Sequence, residues 1–244
     1  MNTRILARGV ATLTLTAGLG FAGSVAVDAD ALPTPTPVTN PANPALLGGI
    51  KSLCNIGVQR RLAVLAADNT FVSTSVALTG SDQSTLEGQI SADESGLTAL
   101  NITIQGDTTY SKLFTDCGLI VTDYRVYVME DPKIHEVIAA DGIGKVDSAF
   151  STIIPELQGV INASTVSASV KAQAQSELNA LTGKVTASQT SISGVSASVI
   201  NLVPSGWPGN QADLKSAREN ITTASTDLSG ARTDINNILT LLGE

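Results

Sequence analysis

The sequence predicts an all-α protein of long antiparallel helices that pack along coiled-coil-like heptad seams, as a helical bundle built from hairpins. Two observations lead there. Apolar residues recur at alternating three- and four-residue steps through much of the second half of the chain. The chain also holds only one Trp, three Tyr and four Phe, while Ala, Ser, Thr, Leu, Val and Ile abound. Small side chains let helices approach closely, whereas a compact enzyme core of this size ordinarily draws more on aromatic volume.

The elements follow in order. Residues 1–31 read as an export signal: Arg4 and Arg8 form a basic start, an apolar run spans Val10 to Val27, and Ala29 and Ala31 supply an A-x-A cleavage pattern. An uncleaved anchor is the alternative, although Thr12, Thr14, Thr16 and interspersed glycines dilute the run. Residues 32–45 hold five of the nine prolines and read as an extended spacer.

Residues 46–163 are expected to form an N-terminal helical bundle. Leu53, Arg60 or Arg61, Val64, Ala67 and Phe71 outline a first helix, and Leu86, Ile90, Leu97, Leu100 and Ile104 a second, with Gly80, Ser81 and Asp82 as turn and cap between them. The stretch 98–105 also alternates as a strand would, and helix is the preferred reading. A third stripe from Leu113 to Val160 predicts one long helix, kinked or broken near Pro132 and Pro155 unless Pro155 opens a new turn.

Residues 164–244 predict an antiparallel hairpin. One helix spans 166–203, with Leu178, Leu181, Val185, Ser188, Ile192, Val195, Val199 and Leu202 on its seam and Ser188 the lone polar intruder. After the breakers Pro204, Gly206, Pro208 and Gly209, and with Asn210 as N-cap, the last helix carries Leu214, Ala217, Ile221, Ala224, Leu228, Ala231, Ile235, Ile238 and Leu242.

Cys54 and Cys117 are the two cysteines of a chain that reads as exported, so a disulfide is expected. The chain-entropy estimate for the loop it closes is roughly 4 kcal/mol. A net charge of −8 argues against a nucleic-acid partner, which needs a basic face. No stretch after the signal is long and apolar enough for stable membrane insertion. Heptad seams pair within a chain or between chains, so self-association stays open.

The densest chemistry lies between Asp123 and Asp141: Asp123, Tyr124, Arg125, Tyr127, Glu130, Asp131, His135, Glu136 and Asp141. Asp131 and His135 stand four apart on one helix face, a register suited to a divalent cation. Zinc sites ordinarily take three or four protein ligands, and His135 is the only histidine, so neither a metal ligand set nor a cofactor is expected. No nucleophile elbow of the G-x-S-x-G type supports a Ser/His/Asp arrangement, and no catalytic residue is assigned. Tyr124, Arg125, Tyr127 and His135 form the candidate interaction patch, since Tyr and Arg are frequent interface anchors; packing against neighbouring helices is the competing account.

The run TDYRVYVMEDPKIH at 122–135, after RRLAVLAA at 60–67 and together with the C-terminal SAREN and DLSGARTDINNIL segments, resembles a group of secreted all-helical bacterial proteins, commonly actinobacterial. The resemblance covers most of the chain after the signal and implies export and a helical fold, with no activity to carry over. The expected function is a non-enzymatic structural or protein-interaction module, secreted or held at the cell envelope, with an unidentified protein or envelope partner. The alternative is a small-ligand or metal-binding protein that uses the Asp123 to Asp141 region.

Overall fold

The computed structural model describes residues 43–243, so the predicted signal and most of the spacer lie outside the described residues. All regular structure in that range is helical, as the three- and four-residue periodicity predicts. Helix α1 (Pro44–Thr74) begins within the last residues assigned to the spacer: Asn43 accepts a hydrogen bond from the Ala45 N–H at 3.0 Å, and Pro44 sits in the first turn. A proline there loses no hydrogen bond, because the first helical N–H groups have no intrahelical acceptor.

The five residues after α1 reverse the chain into α2 (Gly80–Gly106). Thr79 caps α2 by accepting from the Asp82 N–H at 3.1 Å, so Gly80, Ser81 and Asp82 form its first turn rather than the turn and cap. The stretch 98–105 lies inside this helix. A short α3 (Tyr110–Thr122) follows, capped by Thr109, and the predicted disulfide joins Cys54 of α1 to Cys117 of α3.

The long third helix of the sequence reading is two helices. Arg125 adopts a left-handed backbone (φ 41°), and its carbonyl accepts from Met129 at 3.0 Å and from Glu130 at 3.5 Å, closing a π-helical turn at Val126–Glu130. Helix α4 (Asp131–Ala163) then starts afresh, with Pro132 in its first turn. The break expected at Pro132 therefore falls just ahead of it. Pro155 lies exposed within α4, which continues through it to Ala163.

The C-terminal hairpin is also more segmented than predicted. Helix α5 (Ala168–Ile192) stops where Gly194 takes a positive φ of 73°, a conformation that costs other residues a steric clash, and a single short helix α6 (Val195–Val199) follows. The turn contains a 3₁₀ segment at Pro204–Gly206 and a cis Trp207–Pro208 peptide. Helix α7 (Gln211–Leu242) runs back along α5. Asn210 precedes α7, but its side chain makes no cap; it is buried and donates to the Val203 carbonyl at 3.0 Å and to Met129 Sδ at 3.2 Å.

The α7 seam is buried as read, from Leu214 through Ile238, with Ala residues letting the two long helices approach closely. Ser188 is completely buried on the α5 seam, near the buried Asp147 of α4. Burial pushes the Asp147 carboxyl above its ordinary range, and the Ser188 hydroxyl offsets part of that shift, although neither group completes a well-formed hydrogen bond. Helix α4 packs on α1 along one stretch and on α5, α6 and α7 along others, and is the spine of the bundle.

The stripe read from the sequence runs one residue early in the C-terminal half of α4, where Asp147, Phe150 and Ile161 are buried rather than Val146, Ala149 and Val160, and it does so along the first helix as well. Val58, Leu65 and Val72 are its fully buried apolar positions, whereas Leu53 is 69% exposed and Phe71 41%. The true seam lies one residue later, a rotation of about 100° on a helix of 3.6 residues per turn. Asp68 occupies that seam, and its charge masks the periodicity.

Candidate functional site

The parallel course of α1 and α4 brings residues far apart in sequence to one face. Asp68 projects from the buried stripe of α1, and Asp131 and His135 lie one helical turn apart at the start of α4. One donor atom from each of the three side chains lies within 4.8 Å of the others. His135 Nε2 stands 3.4 Å from Asp131 Oδ1, a long contact between half-exposed groups, and the Phe71 ring lies 5.1 Å from the imidazole.

Asp68 is the deepest member: it is 5% exposed, and its Oδ2 has no hydrogen-bond partner. Desolvation, reinforced by the neighbouring charge of Asp131, pushes its carboxyl up to about 7, with His135 acting in the opposite sense. A weak hydrogen bond to Asp131 raises the His135 pKa, against burial, which lowers it.

A second ionic group lies behind the first. Lys133 and Glu130 are both almost wholly buried and pair at 2.6 Å, and the Lys133 ammonium also donates to the Leu202 carbonyl at 3.2 Å. Burial raises the Glu130 pKa, and Lys133 lowers it. Removing either partner alone would strand a buried charge, at a cost of about 3–5 kcal/mol. Asp93 of α2 faces this pair; its carboxyl is pushed up to about 6 by desolvation and by Glu130, with Lys133 opposing.

The structure divides the predicted patch of Tyr124, Arg125, Tyr127 and His135. Tyr124 packs its ring against α2, where Gly96 leaves room for it: a Cβ there would stand 2.5 Å from the Tyr124 hydroxyl. Arg125 points to the hairpin turn, donating to the Pro204 carbonyl at 3.1 Å with its guanidinium 5.8 Å from the Trp207 ring centre. Tyr127 and His135 turn to α1 instead. Arg61 lies 5.0 Å from the Tyr127 ring centre, and desolvation lowers the Arg61 pKa.

Two further acids of the region are ties between elements. Glu136 accepts from Arg218 of α7 at 2.8 Å. Asp141 accepts from the Thr79 N–H at 2.8 Å and from the Ser196 hydroxyl at 2.7 Å, joining the α1–α2 loop to α6. Asp123 lies at the exposed end of α3 and accepts from the Thr122 hydroxyl. Sequence reasoning missed Asp68; an aspartate three residues after Leu65 on an apolar seam is the signal that finds it once the seam is placed correctly.

No family model, curated protein or solved structure matches the chain. What the fold and site define is a disulfide-linked, all-α bundle with a buried carboxylate facing an aspartate–histidine pair.

Proposed function

We propose that this chain is an exported, non-enzymatic helical module that works through protein–protein contact at the cell envelope or in the extracellular milieu. The observation that carries the reading is the set of exposed apolar side chains on α1 and α3, which recur seven residues apart on each helix at Leu46 and Leu53 and at Phe114 and Val121. Leu46, Leu53 and Ile56 on α1 and Phe114 and Val121 on α3 are between 42% and 69% exposed, and the Cys54–Cys117 bridge joins the N-terminal half of α1 to α3. Clustered exposed apolar residues mark contact surfaces more often than isolated ones do. The disulfide is compatible with an oxidising compartment, the N-terminal 31 residues have the pattern of an export signal, and no described helix is long and apolar enough to cross a membrane.

Cross-linking in producing cells, followed by fractionation of medium, envelope and cytosol, tests this reading. The wild-type chain is expected outside the cytosol with a reproducible protein partner. Leu53→Glu is expected to retain the fold, because Leu53 is exposed, and to lose that partner. A cytosolic chain, or a partner held equally by Leu53→Glu, would count against it.

A further inference from the structure

We infer that Asp68, Asp131 and His135 form a binding site for one divalent transition-metal cation of the zinc type, which ties α1 to α4. Charge, donor chemistry and geometry converge on this. Two carboxylates and a neutral imidazole offer two negative charges and three donor atoms, matching a divalent ion. Asp68 is 95% shielded from solvent and directs a carboxylate into the cluster with one oxygen unpartnered. A buried carboxylate left in that state is costly, and a metal ion is one of the few partners that relieve it.

Nearby protein cations are otherwise engaged: Lys133 is committed to Glu130 and to the Leu202 carbonyl, and Arg61 stacks on Tyr127 about two helical turns away along α1. The separation of 3.4 Å between His135 Nε2 and Asp131 Oδ1 is the edge of a tetrahedron with metal–donor bonds of about 2.1 Å. All three donor atoms lie within 4.8 Å of one another, so side-chain rotation of up to about 1.4 Å brings the widest pair to the same tetrahedral edge. The imidazole selects a borderline metal over calcium or magnesium, which favour all-oxygen shells. His135 and Asp131 are partly exposed, which gives the ion a path in and leaves its remaining positions to water.

The test uses the full chain stripped with a chelator and titrated calorimetrically with Zn²⁺ alone, then with Mn²⁺, Ca²⁺ and Mg²⁺, beside thermal melts in each metal. One Zn²⁺ per chain is expected, with Ca²⁺ and Mg²⁺ at least roughly 100-fold weaker and a melting temperature that rises with Zn²⁺ concentration. Asp68→Asn and His135→Gln are each expected to weaken Zn²⁺ by at least about tenfold and to abolish the metal-dependent rise in melting temperature. Should Asp68→Asn fail to fold, His135→Gln decides alone, since that side chain is half exposed and its fold is checked by circular dichroism. Absence of heat with Zn²⁺, or binding that both variants retain, would overturn the site.

Discussion

At the residue scale, the unusual feature is how many acids sit on or near apolar seams. Asp68, Glu130, Asp147 and Asp234 are each less than 6% exposed, and each meets a different fate. Asp234 accepts from Lys184 at 2.7 Å through both oxygens, Glu130 pairs with Lys133, Asp147 lies near a serine, and Asp68 faces Asp131 and His135. Asp93, facing the Glu130–Lys133 pair and Tyr124, gives this chemistry a pH signature. Its folded pKa of about 6 lies above the ordinary carboxylate value, so between roughly pH 4 and 6 the native state holds more protons than the unfolded one. Its contribution is therefore most favourable at low pH and is lost as pH rises through about 6; the raised Glu130 acts in the same direction. Asp93→Asn, which mimics the neutral form, is expected to be more stable than wild type at pH 7.5 and to show no advantage at pH 4. Urea denaturation at the two values reads the difference.

At the element scale, the turn between α3 and α4 shows strain held by tertiary contacts. A left-handed conformation costs a residue with a Cβ about 1–2 kcal/mol, and Arg125 adopts one. Its guanidinium is held by the Pro204 carbonyl and by Trp207, so the hairpin turn anchors the residue that opens the π-helical turn. Arg125→Ala and Arg125→Gly both delete those contacts, and only glycine relieves the backbone. Both are expected to destabilise the protein, with the glycine variant about 1 kcal/mol the more stable of the two in chemical denaturation; equal stability would mean that the left-handed residue stores no strain. The seams tell a complementary story. The α2 positions Leu86, Ile90, Leu97 and Ile104 and the α7 positions from Leu214 through Ile238 are buried as their spacing indicates, because each stripe holds enough apolar residues that Asp93 and Asp234 do not obscure it. The α1 seam was displaced by one residue because Asp68 stands in it.

At the scale of the whole molecule, the Cys54–Cys117 bridge spans 63 residues and encloses α2 and most of α1. Cross-linking so long a loop stabilises the fold chiefly by restricting the unfolded chain, by about 4 kcal/mol in the chain-entropy account. The Cys54→Ser/Cys117→Ser variant is expected to lose up to that much in equilibrium unfolding, and reduction of the wild type to lose the same. The bridge fastens α1 to α3, whereas the inferred metal ion would fasten α1 to α4, so the two act on different neighbours of one helix. Loss of both is expected to free α1 more than either loss alone.

Apolar periodicity determined the all-helical class and the α2 and α7 seams, the breakers Pro204, Gly206, Pro208 and Gly209 located the turn, and two cysteines in a chain that reads as exported made their pairing the expectation, because each follows from local spacing or composition. Tertiary structure alone decided the rest. Gly194 and Arg125 end helices through backbone conformations that no apolar pattern encodes. The candidate patch divided because residues adjacent in sequence project from the α3–α4 turn toward different neighbours. Asp68 joined Asp131 and His135 only because α1 and α4 pack side by side, and a ligand set shared between two helices arises from that packing, not from the spacing along either one.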